Sequence, residues 1–259
     1  MHEAGHTFLA RLGKTKLRPG GIDATNWLVE KAGIGPDTKI LEVACNMGTT
    51  MIMLAKKYGC SVTGLDLDEK ALAKARENIE KNGLADRLQV VQASAFELPF
   101  EDASFDIVIN EAMLTMLTGD SKGRALAEYA RVLKPGGVLL TQDICFRCDD
   151  TAEQKELRAG LSRAINVNVE PLTRACWKER IESHGFATEQ KVGAMTLMDP
   201  EGMIHDEGVE GALKIMFNAM KQENHEMFSN MFRFFNSHKD ELGYVANFST
   251  KPLAGAGAA

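Results

Sequence analysis

The 259-residue sequence has no apolar run approaching the roughly 20 residues a bilayer-spanning helix needs, so no membrane partner is expected. Its opening stretch, MHEAGHTFLARLGKTK, lacks the apolar core of a secretory leader, and a cytoplasmic location is the expectation that follows. Positive charge is in short supply: 30 Lys and Arg stand against 36 Asp and Glu, a net charge of −6. Nucleic-acid binding is driven by Lys and Arg facing phosphates, so no nucleic-acid partner is expected. Cysteines are few, odd in number and scattered, at Cys45, Cys60, Cys145, Cys148 and Cys176. That pattern argues against a disulfide-stapled secreted scaffold and for free thiols in a reducing compartment.

Metal-ligand patterns are wanting as well. His2-Glu3-Ala4-Gly5-His6 spells HExxH, but it begins at the second residue, contains Gly5 and has nothing ahead of it to hold a rigid helix. Cys145-Phe146-Arg147-Cys148 is a CxxC without the second pair that a zinc site requires. No metal is expected. There is no internal repeat and no clear linker. A chain of this length sits at the upper end of what one core supports, so a single domain over residues 1–259 is expected. Within it, residues 1–35 form an N-terminal cap, 36–148 a ligand-binding core and 149–259 a C-terminal half. The Gly/Ala tail Ala254–Ala259 is expected to fray.

What the sequence does have is a rhythm. Short β-rich runs at Ile40–Val43, Val62–Leu65, Leu88–Gln92, Phe105–Asn110 and Val138–Thr141 alternate with amphipathic stretches at Thr49–Tyr58, Glu69–Asn82 and Lys122–Leu133. Gly59 and Gly83 stop the first two helices, and Lys134-Pro135-Gly136-Gly137 closes the third. Strands separated by helices pair in parallel through right-handed crossovers, which predicts a doubly wound α/β sheet of Rossmann-like form. Later stretches read as helices at Thr151–Val169 and Thr173–Ser183, a strand near Thr188–Val192, a Met- and Phe-rich helical run at Gly211–Phe235 and a last strand at Leu242–Phe248. The sum is a mostly parallel, seven-stranded sheet with an N-terminal helical segment and a helical insertion near 201–240 before the last strand.

Ligands of such sheets bind beyond the carboxyl ends of the strands. Polar residues gather there: Glu42, Asp66, Ser94, Asn110-Glu111 and Asp143. The segments LEVACNMG, VTGLDLDEKALAKA, QASAFELPFEDASFDIVIN and RVLKPGG, in that order, resemble the class I S-adenosylmethionine-dependent methyltransferases. Among these the chain is most similar to the small-molecule type exemplified by quinone-biosynthesis enzymes. The resemblance covers roughly residues 17–145, with weaker echoes at 171–192 and 242–250.

The resemblance implies S-adenosylmethionine as cofactor and S-adenosylhomocysteine as product. It assigns Glu42 and the loop residues Ala44, Asn46, Gly48 and Thr49 to the cofactor's methionine part, and Asp66 with Leu67 to its ribose. Ser94, Ala95 and Phe96 fall where the family reads adenine, with Ser94 in place of the usual Asp. Asn110 and Glu111 fall where it approaches the methyl group. The glycine-rich loop of the family is altered at Ala44, Asn46 and Met47. Asn tolerates left-handed backbone best among non-glycine residues, so Asn46 is expected at positive φ, with Met47 pointing away from the ligand.

Several roles stay open at this level. Glu111 reads as the N-cap of a helix Ala112–Leu117 or as an acceptor-side base, and Asp143 is a second candidate base. Asp68 reads as the N-cap of the following helix. Arg18 is a candidate partner for the cofactor carboxylate or a substrate anion, and Asp23 reads as the N-cap of a helix Ala24–Ala32. The Met/Phe run suits a lid, an acceptor pocket or a dimer face, which leaves a homodimer possible. Methyl transfer to a small molecule is the expected function. Non-catalytic cofactor binding, or an RNA or protein acceptor, are the alternatives; a nicotinamide enzyme would want the G-x-G-x-x-G that is absent.

Overall fold

The computed structural model describes residues 3–253, so His2 and the tail Ala254–Ala259 lie outside the described residues. Five parallel strands carry the first half of the sheet: β1 (Lys39–Val43), β2 (Ser61–Asp66), β3 (Leu88–Gln92), β4 (Phe105–Glu111) and β5 (Leu133–Phe146). A two-residue β6 (Leu172–Thr173) adds to the far end of β5; β7 (Ala187–Ala194) and β8 (Leu242–Thr250) complete the sheet. The order is β3-β2-β1-β4-β5-β8-β7, and β8 alone runs against its neighbours. The chain winds one way through β1, β2 and β3 and the other way from β4 onward. The switch between β1 and β4 therefore opens a crevice at their carboxyl ends.

Both faces of the sheet are covered, which is why the central strands read as near-continuous apolar runs rather than alternating ones. Ile40, Val62, Ile107 and Leu140 pack under α2 (Gly21–Lys31), α3 (Thr49–Tyr58) and α4 (Glu69–Lys81). Leu41, Val43, Val108 and Leu139 pack on the other face against α5 (Ser121–Val132) and α7 (Arg174–Glu182), around the fully buried Tyr129 and Trp177. Successive residues of β1 thus serve opposite layers, the period of two that a strand imposes.

A third apolar cluster sits at the end of the sheet. It joins Phe8, Leu9 and Leu12 of α1 (Gly5–Leu12) to Leu157 and Leu161 of α6 (Thr151–Ile165). To these it adds side chains of α8 (Pro200–Ala219) and α9 (Gln222–Ser237), and all of them close over Ile144, Phe146 and Leu242 where β5 ends and β8 begins. This cap roofs the crevice.

Boundaries moved where tertiary pairing overrode local signals. Lys134-Pro135-Gly136-Gly137 is not a simple helix stop, because β5 already begins at Leu133. Gly136 N–H donates to Lys251 O at 3.0 Å and Lys251 N–H to Gly137 O at 2.9 Å, so the segment extends the sheet beyond β8. Helix α2 starts at Gly21 after Gly20, not at Ala24; Asp23 lies inside its first turn and pairs with His205 Nε2 at 2.9 Å rather than capping. Ala112–Leu117 holds only a 3-10 turn, Leu114–Met116. The Gly211–Phe235 run spans two helices, with α8 kinked at Gly208 (φ 74°, ψ 167°), a backbone state open to glycine alone. Among the described residues, no helix is long and apolar enough to cross a membrane.

Candidate active site

The loop after β1 is built from left-handed residues. Ala44 (φ 61°), Asn46 (φ 48°) and Gly48 (φ 75°) alternate with ordinary ones, Gly48 N–H closing a turn onto Cys45 O at 2.9 Å. Gly48 is the N-cap position of α3, and Thr49 its first residue. Asn46 takes the geometry its residue type suggests. Ala44 takes it too, at a steric cost of about 1–2 kcal/mol that nothing in the residue type signals. The loop is tied to the end of β2: Asn46 N–H donates to one Asp66 oxygen at 2.9 Å, and Asp68 N–H to the other at 3.0 Å. Asp68 itself caps α4, accepting from Lys70 N–H at 2.9 Å.

Beyond these strand ends lies a cavity of about 590 Å³. Ala44, Asn46, Met47, Asp66, Leu67, Ala93, Ala95 and Glu111 line its sheet side; His6, Ala10, Arg11 and Leu17 line its roof. Met47 faces the cavity rather than away from it. Ala93 and Ala95 form the wall at the end of β3, while Ser94 turns its hydroxyl to accept from Phe96 N–H at 3.2 Å. Phe96 packs against the core with Arg124 over its ring, and Asn110 is buried with its amide donating to Val43 O at 3.0 Å. Neither reaches the wall, and Gly48 shapes the loop from behind it.

At the end of β1 the cavity runs into a small polar recess of Arg18, Glu42, Thr49, Thr50 and Glu111. Here a buried network pins the segment before α2 to the sheet. Glu111 accepts from the Arg18 guanidinium, from Thr25 Oγ1 at 2.5 Å and from Gln142 Nε2 at 2.7 Å. Arg18 also donates to Thr50 Oγ1 at 2.8 Å, and Gln142 Oε1 accepts from Gly20 N–H at 2.7 Å. Glu111 is thus neither a helix cap nor a free base; both of its oxygens are held. Burial, with the Glu111 charge adding to it and Arg18 opposing, pushes the Glu42 carboxyl up to about 8. Among the described residues, Glu42 Oε2 and Arg18 Nε are both buried without a partner.

Asp143 does not reach the cavity. It is fully buried, and one oxygen accepts from Thr115 N–H at 2.7 Å and Thr115 Oγ1 at 2.9 Å, holding the 3-10 turn. Burial raises it to about 7 against the pull of the Thr115 bonds and Lys122. It anchors the turn and cannot meet an acceptor.

On the roof side a narrow slot of about 50 Å³ opens between α1, the 3-10 turn, α6 and α9, sharing His6, Leu17, Ala112 and Met116 with the main cavity. Leu9, Ile144, Ile165, Val169, Met231 and Phe235 make the rest of it almost wholly apolar. Sequence reasoning did not find this slot, nor Thr25 and Gln142 in the network, because no local pattern marks residues that meet only through packing. Among the described residues no cluster of His, Cys, Asp and Glu has the makings of a metal site, and all five cysteines are free.

A doubly wound sheet with a left-handed loop after β1 and an acid closing β2 defines a nucleoside-cofactor-binding α/β protein. The family model described as "Methyltransferase domain" matches residues 40–137. An uncharacterised protein of Haemophilus influenzae is 54% identical over 250 residues, 96% of this chain and 98% of that one. The 27-O-demethylrifamycin SV methyltransferase of Amycolatopsis mediterranei is 25% identical over 240 residues, 89% of this chain and 85% of that one. Other curated methyltransferases match at 31–36% identity, but the chain spans at most about half of their length, 23–49%. Among solved structures, one titled as a putative sarcosine dimethylglycine methyltransferase from Galdieria sulphuraria superimposes with a TM-score of 0.70 at 20% identity, covering 89% of this chain and 86% of that one. Residues 40–137 are thus a methyltransferase domain, and S-adenosylmethionine is its cofactor.

The residues present fit that group. Its amino-acid end is a zwitterion, and the recess offers a Glu42 carboxyl oxygen and an Arg18 donor that have no partner among the described residues. Its ribose diol suits the Asp66 carboxylate, whose two oxygens each accept one backbone N–H and keep a lone pair to spare.

Proposed function

We propose that this protein transfers the methyl group of S-adenosylmethionine to a small-molecule acceptor with an apolar body. The observation that carries the reading is the apolar slot opening off the cofactor cavity beneath the helical cap. A roofed, narrow slot suits a small molecule and leaves little room for a nucleic acid or protein surface. The net charge of −6 and the rifamycin-type relative point the same way. In this reading Glu42, Arg18 and Thr49 hold the methionine end, Ala44 and Asn46 bring backbone against it, and Asp66 takes the ribose hydroxyls. Leu67, Ala93 and Ala95 flank the adenine. Glu111 positions Arg18 rather than moving a proton.

The bound cofactor supplies a methyl group on a positively charged sulfur, already a strong electrophile. What the chain adds is placement: the loop and recess fix one reactant, the slot fixes the other, and the cap excludes water. Holding two reactants at attack distance can remove roughly 7–11 kcal/mol of barrier. Calorimetry should show S-adenosylhomocysteine binding to the purified chain, and radiolabelled cofactor should mark the small-molecule fraction of a cell extract. Label entering only RNA or protein would overturn the acceptor class, and absence of binding would overturn the whole reading.

A further inference from the structure

His6 lines both the cofactor cavity and the apolar slot, and among the described residues it is the sole titratable one on the slot's wall. The other polar side chain there, Thr115, is fully used: its hydroxyl donates to Asp143 and accepts from Ile144 N–H at 3.1 Å. Glu111 is held by Arg18, Thr25 and Gln142, and Asp143 lies behind Thr115, so neither carboxylate serves the slot. His6 Nδ1 is buried without a hydrogen-bond partner among the described residues. Nδ1 is enclosed, so the half-buried ring meets the two ligand spaces through its other edge, and Nε2 is the nitrogen placed to take a proton from whatever bridges them.

Resting on the function proposed above, we infer that His6 is the acceptor-side general base and that the acceptor is an apolar molecule bearing a neutral hydroxyl. The bond that forms joins the hydroxyl oxygen to the methyl carbon. The bond that breaks is the cofactor's S–CH3 bond, whose electron pair stays on sulfur and cancels its positive charge. The hydroxyl proton passes to the His6 imidazole, so charge and atoms balance without another reactant. The slot, about 50 Å³ in this conformation, admits the reacting end of a flat or narrow group. Met116 and Met231 on its walls are unbranched and yield to larger ones.

The charged groups that share the cavity with His6 are Arg11 on its own helix, Asp66 and Asp68 at the end of β2, Lys70 and Lys74 on α4, and Glu111 on β4. Burial lowers the His6 pKa, with Asp66 and Asp68 pulling the other way, a direction that favours the unprotonated ring a proton acceptor needs.

The test uses two model phenols and the unaltered chain. With S-adenosylhomocysteine bound, the histidine ring signal that disappears in His6→Gln should titrate below 6.5 in proton NMR and shift on adding 4-butylphenol; a signal blind to the phenol overturns the proposal. With S-adenosylmethionine, His6→Gln and His6→Asn should lose about 100-fold in rate on neutral 4-butylphenol. At about pH 8.5, where 4-nitrophenol is ionised and 4-butylphenol is still neutral, they should lose less than tenfold on 4-nitrophenol, which then needs no base. Equal losses on both phenols overturn the proposal, as does methylation of neither by wild-type protein that binds S-adenosylhomocysteine. Failure of that binding would instead sink the function itself. Where neither variant folds, the His6 ring signal of the wild-type protein is assigned through its own backbone connectivity, and the NMR arm alone decides.

Discussion

The two walls of the cavity are made in opposite ways. The cofactor wall is comparatively local: residues 42–49 and 66–68 form it with one turn, two strand ends and a hydrogen bond that spans 20 residues from Asn46 N–H to Asp66. The proposed acceptor wall gathers His6, Leu17, Ala112, Ile165, Met231 and Phe235 from five stretches of chain, and nearly all of its side chains are apolar. Backbone geometry and placed carboxylates recognise one polar ligand that every member of the family shares. Apolar side chains on helices recognise a shape, and shape is easily altered by substitution. In the proposed function the first wall therefore marks the family, while the second holds the particular acceptor.

That contrast makes graded predictions. The largest effect is expected at the seam between the walls. Glu111→Ala leaves Arg18 buried without its partner and should lower unfolding free energy by about 3–5 kcal/mol, read from urea denaturation. A loss under 1 kcal/mol would mean the N-terminal segment is not held by this pair. On the cofactor wall, Asp66→Ala removes two charge-assisted acceptors and should weaken S-adenosylhomocysteine binding at least about 100-fold by calorimetry. The same substitution should leave the cap intact by circular dichroism.

Glu42 and Asp143 offer a pH test. Both carboxyls are raised by burial, to about 8 and about 7, above unfolded values of about 4. Between about pH 4 and pH 8 the native chain binds more protons than the unfolded one, so stability falls as pH rises across that window. Cofactor-free protein should lose on the order of 2–4 kcal/mol from pH 6 to pH 8, and Glu42→Gln should flatten the slope. A pH-independent urea midpoint would show that these acids are not held as described.

On the acceptor wall, Met231→Ala enlarges the slot and should cost about 2 kcal/mol or more in stability. It should widen the range of acceptors while leaving S-adenosylhomocysteine affinity within about threefold; an equal drop in both would merge the two walls into one site. The smallest effect belongs to the loop. Ala44→Gly relieves a left-handed alanine and should stabilise the chain by about 1 kcal/mol, measured as a rise in melting temperature.

Much of the cofactor wall was legible because its signals are local. Period-two and period-3.6 patterns located β1 to β4 and α3 to α5 within a few residues, and strand-end acids marked the crevice. Asn46 advertised its backbone by its own side chain; Ala44 did not, since alanine carries no left-handed preference. Glu111 was found but misread, because a carboxylate's partners lie at residues 18, 25 and 142, beyond any window of sequence. Asp143 failed for the same reason: strand position placed it near the crevice, while pairing with Thr115 sealed it inside. His6 looked like part of a stray metal motif until the fold of α1 carried it to the junction of cavity and slot.

By itself the sequence determined the sheet, its crossovers and the cofactor loop, since strand alternation, helix stops and turn chemistry act over a few bonds. Only the tertiary structure decided which polar groups are spent on holding the chain together and which face the acceptor. That choice depends on burial and on partners brought from distant segments: Thr115 seals Asp143 inside as a strut, while His6 is left lining the cavity.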